Sequence, residues 1–367
     1  MKDDFIWMAG GAQGSGVDSS ANIFARACCY GGLHVYGKRE YSSNIKGLHS
    51  YFHIRVREKE VGAIEDSVDM LCTFDAESVV RHIWEVSPGG GIICDSDILG
   101  MRISSIPSLP SPFFEEFRKT LDQKGIQPET VGDLLNEVKK SNVQIYAMPY
   151  LELLKEIGKE TGEAQLSKLT RMINVLSLGA SFGLINYDRK FVEKAINMIF
   201  GKKPKIISLN LLALSKAYDY VREKFGDSGF SLKTINTDEE RIFLQGTQAV
   251  ALGKLVGGCR VQTYYPITPA ADESEYIEEN QVLELESNGI GGIVVIQTED
   301  EIAAITMATG AALTGARSAT STSGPGFSLM VEGIGWAGIN EVPVVINYYQ
   351  RGAPSTGLPT RHGQDDL

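Results

Sequence analysis

Tyr264-Tyr265-Pro266-Ile267-Thr268-Pro269 is the stretch from which the chain is read. Its two prolines fix their own φ and turn Tyr265 and Thr268 away from helix. Thr268 is therefore expected in a stiff loop with its hydroxyl available. Before the loop, Cys259 to Tyr264 has the look of a short strand. After it, Asp272-Glu273-Ser274-Glu275-Tyr276 is a helix start, acidic in its first turn as the dipole prefers. Alone, such a loop is an ordinary proline-rich connection. It becomes a candidate ligand contact because three more polar loops follow.

Working outward, Gly246–Gly257 is a helix of small residues ahead of that strand. Beyond it, Gly292–Gln297 is expected to be a strand buried on both faces. Thr298-Glu299-Asp300-Glu301 leads into an alanine-rich helix over Ile302–Leu313. Ala316–Thr320 is the next strand, Ser321–Gly326 a loop, Phe327–Ile339 a helix and Val342–Tyr348 a strand, left by Gln350-Arg351-Gly352. Repeated βα units with continuous apolar strands predict a largely parallel sheet. Ligands bind such sheets outside the carboxyl ends of the strands. Thr268, Glu299, Thr322-Ser323 and Arg351 all fall there. Thr298 and Glu301 fit a capping box, and Asp300 fits plain first-turn charge. Glu299 is the carboxylate left over, placed to point into the crevice.

In the other direction, Phe5–Ala9 is an apolar strand, followed by Gly10 to Gly16 and a helix from about Asp18 to Tyr30. Backbone N–H groups in that context cradle phosphates. The spacing of Gly11, Gly14 and Gly16 is G-x-x-G-x-G, not the dinucleotide G-x-G-x-x-G, and no GK[ST] ending makes it a P-loop. Phosphate binding and a tight, closely packed turn both remain open. His34–Gly37 is a strand ending at Lys38-Arg39-Glu40, whose two cations either meet a phosphate or stay solvated. Ser50–Arg57 alternates and predicts a strand with an exposed face. Ser67–Phe74, Gly91–Asp95 and Val143–Met148 are further strands. Residues 150–220 are mostly helical, broken at Gly201–Pro204. These features divide the chain into an α/β domain over 1–225 with a helical C-terminal part, a linker over 226–240 and a second domain over 241–367.

Composition bounds the function. Hydrophobic content of 43% and charged content of 22% are ordinary for a globular protein. A net charge of −11 argues against a nucleic-acid role. No apolar run approaches the roughly 20 residues that span a bilayer. The start, Met1-Lys2-Asp3-Asp4, is no signal peptide, so a cytoplasmic protein is expected. Cys28, Cys29, Cys72, Cys94 and Cys259 form no C-x-x-C, which leaves no zinc or iron–sulfur ligand set and predicts buried free thiols. His49 and His53, four apart on a strand, do not converge on a metal, so none is expected.

Tyr265-Pro266-Ile267-Thr268-Pro269, Gln297-Thr298-Glu299, Thr322-Ser323-Gly324-Pro325-Gly326 and Gln350-Arg351-Gly352 together resemble the 2-oxoacid:ferredoxin oxidoreductases. They match the pyrimidine-binding domain for thiamine diphosphate in the α subunit. Gly11 to Gly16 and Tyr41 to Gly47 resemble the γ subunit of the same enzymes, fused ahead of α as in the archaeal two-subunit type. The chain departs from the pattern at Leu48, where many γ sequences carry a second glycine, and at Ala270 and Ala271, often serine.

The resemblance implies an α/β fold: a γ-type α/β domain, then a mostly parallel, doubly wound pyrimidine-binding domain. It implies CoA-dependent oxidative decarboxylation of a 2-oxoacid such as pyruvate or 2-oxoglutarate, with electrons passed to ferredoxin. Thiamine diphosphate would be shared with a β subunit that holds its diphosphate, Mg2+ and a [4Fe–4S] cluster. Tyr265, Pro266, Ile267, Thr322 and Ser323 would line the pyrimidine side. Glu299 matches the carboxyl group that favours the imino tautomer of the pyrimidine. Arg351 matches the cation that grips the substrate carboxylate, and Thr268 would bond substrate or intermediate. Gly11, Gly14, Gly16, Lys38 and Arg39 are candidates for the phosphates of coenzyme A. Family α subunits continue beyond Leu367, so an open sheet edge or exposed apolar face is expected on the C-terminal side, and the isolated chain is expected to be inactive. The rivals are a nicotinamide-linked dehydrogenase built on the glycine loop and a non-catalytic partner subunit.

Overall fold

Strand β1 (Asp4–Ala12) is buried from Phe5 to Gly11, because it lies inside a sheet covered on both faces. The computed structural model describes residues 4–41, 49–109, 111–163, 165–201, 203–239, 241–284 and 290–350. The chain forms two compact units, residues 1–243 and 244–367.

The first unit continues through α1 (Val17–Tyr30), β2 (His34–Tyr41), β3 (His49–Arg57), β4 (Val68–Thr73), α2 (Ala76–His82) and β5 (Val86–Asp95). Then come α3 (Ser111–Lys124), α4 (Val131–Lys139), β6 (Gln144–Met148), α5 (Tyr150–Thr161), α6 (Leu166–Leu169), α7 (Ile173–Leu184), α8 (Arg189–Phe200) and α9 (Pro204–Phe225). The sheet order is β2-β3-β1-β4-β5-β6, parallel from β1 to β6 and antiparallel at β3. Helix α7 is buried from Asn174 to Leu184 and is apolar nearly all round, as a helix enclosed on every side must be. Trp7 stacks on Phe24 with centroids 4.4 Å apart, and Phe24 on Phe182 at 5.0 Å. The indole of Trp7 donates to Ser181 Oγ at 3.0 Å, so the one polar group of the stack is satisfied. All five cysteines are free and buried.

Strand β3 corrects a sequence expectation. Its alternation predicted an exposed face, yet it lies between β2 and β1 with Ser50, His53 and Arg55 buried. Arg55 is tolerated there because Asp4 accepts from its Nε at 2.9 Å and Glu65 pairs with the same guanidinium. The stretch over 226–240, taken from sequence as a linker, is laid along the first unit. Leu232 is buried, Ser228 Oγ donates to the Leu184 carbonyl, and the Ile235 N–H donates to the Gly31 carbonyl at 2.7 Å.

The second unit runs α10 (Gly246–Val256), β7 (Val261–Tyr264), α11 (Ala271–Glu279), β8 (Val282–Glu284), β9 (Ile290–Gly292), β10 (Val294–Gln297), α12 (Glu301–Leu313), β11 (Ser318–Thr322), α13 (Gly324–Ile339) and β12 (Val344–Tyr348). β8 and β9 pair antiparallel. The main sheet, β10-β7-β11-β12, is wholly parallel. Ala251, Leu255 and Ile277 of α10 and α11 pack with Ala319 on one face. On the other, Ile305 and Met330 of α12 and α13 pack with Val344 and Ile346. The unit is therefore doubly wound.

β10 is not buried on both faces as its aliphatic run suggested. It is an edge strand with Val294 55% exposed. A β-branched run specifies a strand, but not its place in the sheet. β12 forms the other edge among the described residues, and Val345 on it is 57% exposed. No helix among the described residues is long and apolar enough to cross a membrane.

Candidate functional site

The parallel register puts the candidate loops at one edge. Tyr264 at the end of β7 pairs with Gln297 of β10 and with Ser321 of β11, and Thr322 pairs with Tyr348 of β12. The four strands thus end level, and the loops after them open on the same side. After β7, Tyr265 and Pro266 are exposed, Ile267 and Thr268 are half-buried, and the Thr268–Pro269 peptide is cis. The Ala271 N–H donates to the Ile267 carbonyl at 2.9 Å, joining this loop directly to α11. Ser323, fully buried after β11, donates its hydroxyl to the Thr268 carbonyl at 3.0 Å. Thr322, also buried, accepts at its carbonyl from the Tyr349 N–H at 2.9 Å.

Glu299 lies between β10 and α12, exposed, and pairs with no described residue. The predicted capping box beside it does not form. Thr298 turns its hydroxyl back to the Tyr264 carbonyl at 3.2 Å and to the Asp300 carbonyl at 2.8 Å. Asp300 is the cap instead, accepting from the Ala303 N–H at 2.7 Å. Glu301 is buried under the start of α13, where a Cβ on Gly326 would stand 2.7 Å from its Oε1. α13 begins at Gly324, earlier than the sequence suggested. Pro325 sits in its first turn, where a missing N–H costs nothing, and glycine permits the close approach to Glu301. The structure therefore brings Tyr265, Pro266, Ile267, Thr268, Glu299, Thr322 and Ser323 to one edge. Arg351 lies outside the described residues, as does most of the segment from Tyr41 to Gly47.

The N-terminal glycine loop is less open. Gly14 and Gly16 take φ of 92° and 100°, which only glycine adopts freely. A Cβ on Gly11 would meet Ser15 Oγ at 2.6 Å and the Phe74 ring at 2.9 Å. Asp75 accepts from the Ala12 N–H at 2.9 Å, and Asn174 donates to the Gly16 carbonyl at 3.4 Å. Burial pushes the Asp75 carboxyl above its usual range, against the hydrogen bonds that stabilise its anion. The chain's own side chains thus fill much of the cradle. Lys38 and Arg39 are not brought together, because neighbours on a strand face opposite sides. Arg39 pairs with Asp18 of α1 at 2.8 Å, whereas Lys38 pairs with Glu40 at 2.8 Å on the side of His53 and Glu85.

Sequence reasoning missed a buried polar layer under the Thr268 loop. Gln262 Nε2 donates to Ser274 Oγ at 3.0 Å and Ser321 Oγ at 3.2 Å, all of it buried. Two consecutive polar residues, Gln262 and Thr263, in a strand read as buried were the available signal.

Comparison with known proteins bears on both units. A family described as pyruvate ferredoxin/flavodoxin oxidoreductase matches residues 6–220. The thiamine-diphosphate-binding part of pyruvate flavodoxin/ferredoxin oxidoreductase matches residues 253–367. The chain is 44% identical over 366 residues to 2-oxoacid:ferredoxin oxidoreductase 1, subunit alpha, of Sulfurisphaera tokodaii, covering 98% of this chain and 57% of that one. It is 30% identical to 2-oxoglutarate oxidoreductase subunit KorA of Mycobacterium tuberculosis, covering 97% and 52%. Among solved structures it is similar to 2-oxoglutarate:ferredoxin oxidoreductase from Magnetococcus marinus with 2-oxoglutarate, coenzyme A and succinyl-CoA bound. That match has a TM-score of 0.75 and 29% identity, covering all of this chain and 56% of the other. The chain spans little more than half the length of these relatives.

Proposed function

The chain belongs to the pyruvate ferredoxin/flavodoxin oxidoreductase family, and from that premise we propose that it acts as the fused γ–α part of a thiamine-diphosphate-dependent 2-oxoacid:ferredoxin oxidoreductase. The observation that carries the reading is the level edge of the second sheet, with Glu299, Thr268 and Ser323 on it, inside the segment that matches the thiamine-diphosphate-binding family.

The residues at that edge suit the cofactor's pyrimidine side. Glu299 is an exposed carboxyl group that no described side chain neutralises, and it is held at a fixed point by the Thr298 and Asp300 contacts on either side. Bound thiamine diphosphate supplies the electron sink for a 2-oxoacid that loses CO2. Glu299 holds a proton against the pyrimidine ring nitrogen. Tyr265, Pro266, Ile267, Thr322 and Ser323 wall that side and keep water from it. Thr268 offers its hydroxyl to the substrate, and Arg351 offers a planar, always-charged fork to the substrate carboxylate. The acyl group would leave on coenzyme A, and the two electrons would pass one at a time to ferredoxin. A partner β subunit completes the site with the diphosphate contacts, Mg2+ and a [4Fe–4S] cluster. The ligands bound to the Magnetococcus marinus relative support 2-oxoglutarate as one member of the substrate class. The buried free thiols fit a reducing cytoplasm.

The test is dye reduction by the complex purified with its partner. Viologen reduction is expected to need thiamine diphosphate, a 2-oxoacid and coenzyme A, and to proceed without NAD. Thiamine-independent, NAD-dependent turnover would favour a dehydrogenase, and a complete complex without turnover a non-catalytic subunit. The isolated chain is expected to be inactive.

A further inference from the structure

Three ionisable side chains under the Thr268 loop have no part in the chemistry above. Lys254 on α10 has a side chain 8% exposed and is ion-paired with Glu273 on α11, which is 0% exposed. The Lys254 ammonium also donates to Gln262 Oε1 at 2.9 Å. Tyr349, directly after β12, donates its hydroxyl to Glu273 Oε2 at 2.6 Å. Burial pulls the Lys254 ammonium below its usual pKa, and the Glu273 carboxylate opposes this. Burial and the same carboxylate push the Tyr349 phenol far up, so it stays a donor. A buried ion pair adds little net stability over packed apolar side chains. Its geometry is therefore the better guide to its use.

That geometry links the mouths of three strands. Glu273 sits in the first turn of α11, whose N–H groups reach back into the loop: Ala271 to the Ile267 carbonyl at 2.9 Å, Asp272 to the Pro269 carbonyl at 3.3 Å. Tyr349 carries the chain out of β12 and bonds the Thr322 carbonyl through its N–H at 2.9 Å. Tyr349 thus spans, by its N–H and its phenol, from the end of β11 to the helix after β7. Lys254 holds the carboxylate on which the phenol lands. The Ser274–Ser321 contact at 3.0 Å and the Ser321 bond to the Ala270 carbonyl at 3.4 Å run alongside.

We propose that Lys254, Glu273 and Tyr349 are positioning residues, a clamp closed on a buried ion pair that fixes the Thr268 loop against the Thr322–Ser323 loop. Its bearing on turnover rests on the function proposed above, whereas the clamp itself does not.

The test uses the complex with its partner and the variants Tyr349→Phe and Glu273→Gln. Hydrogen–deuterium exchange of the peptide over 264–275 is expected to speed up by about threefold to tenfold in Tyr349→Phe, the worth of one hydrogen bond, while exchange in α12 and in the first unit stays at the wild-type rate. kcat/KM for the 2-oxoacid is expected to fall by a similar factor with the thermal midpoint nearly unchanged. Glu273→Gln, which keeps an acceptor but loses the ion pair, is expected to loosen the same peptide further. Unchanged exchange over 264–275 in Tyr349→Phe overturns the proposal. So does exchange that rises evenly across the second unit, which marks a merely structural role. Should Glu273→Gln fail to fold, Tyr349→Phe, lacking one hydroxyl, decides alone. Exchange needs no turnover, so a complex without thiamine-dependent activity overturns the proposed function and leaves this result standing by itself.

Discussion

The Ser323 hydroxyl donates to the carbonyl oxygen of Thr268 at 3.0 Å, so the loop leaving β11 supports the loop leaving β7. Both loops belong to the edge proposed to hold the cofactor, and Ser323 is fully buried. Ser323→Ala removes this bond at nearly constant shape. kcat/KM of the complex is expected to fall by about threefold to tenfold, the worth of one net hydrogen bond. Unchanged kinetics would mean that the Thr268 loop is held without it.

Glu299→Gln tests the central residue. The amide fills the same volume at an exposed position, so the thermal midpoint should not move. It cannot hold a proton at the pyrimidine in the same way, and kcat is expected to fall by about a hundredfold or more, as for loss of an acid–base group. The direct measurement is exchange of the C2 proton of thiamine diphosphate bound to the complex. A wild-type exchange rate in the variant removes Glu299 from the role.

Much of the second unit was legible because its βα repeats declare themselves by period and by short aliphatic runs. The edge that gathers Thr268, Glu299 and Ser323 followed from that topology. What the sequence hid was competition between neighbours. Thr298 looks like a cap until the Tyr264 carbonyl takes its hydroxyl, and the cap passes to Asp300. Gly324-Pro325-Gly326 looks like a loop, yet it forms the first turn of α13, with Gly326 set close against Thr322 and Glu301. Lys38 and Arg39 look like a pair until the strand turns them to opposite faces. The clamp of Lys254, Glu273 and Tyr349 has no local signature, since its members meet only in the folded sheet.

Two glycines separate packing from propensity. At Gly326 a Cβ would run into Thr322 Oγ1 and press on Glu301 Oε1 at 2.7 Å and Cγ at 2.8 Å, so Gly326→Ala should destabilise by about 1–3 kcal/mol. At Gly310, exposed on α12, a Cβ meets nothing within 4 Å. Gly310→Ala should be neutral or stabilise by up to about 1 kcal/mol through helix propensity alone. Urea midpoints of the two variants should move in opposite directions or differ clearly in size. Equal shifts would deny the close approach at Gly326.

His53 should make stability depend on pH. Its ring is buried 3.8 Å from Glu85, and desolvation lowers its pKa below the usual 6.5, with Glu85 opposing and His82 and Lys38 adding to the lowering. As pH falls through about 6.5 the unfolded chain binds a proton that the folded chain does not. Stability should therefore drop from there downward, until the folded ring also takes its proton. In His53→Gln the loss of thermal midpoint between about pH 7 and pH 5 should be smaller than in wild type. Parallel curves would show that His53 titrates alike in both states.

Arg351 and Thr268 should fail in different ways. A 2-oxoacid has one carboxylate to be held while its carbonyl reacts, and a guanidinium fork suits that task in both ground and transition states. Truncating one partner of a partly buried charge pair costs on the order of 2–5 kcal/mol, so Arg351→Ala should raise KM by about tenfold or far more. Lysine keeps the charge without the fork and should recover only part. Thr268, in the loop held by Ser323, offers a hydroxyl whose proposed partner develops during reaction. Thr268→Val removes it at nearly constant shape, so kcat and kcat/KM should fall together while KM holds. The competing view makes Arg351 a surface cation paired with an acidic neighbour and Thr268 a turn residue. It is favoured by a KM within about twofold of wild type in Arg351→Ala together with an unchanged kcat in Thr268→Val, since neither residue would then contribute binding energy at either state.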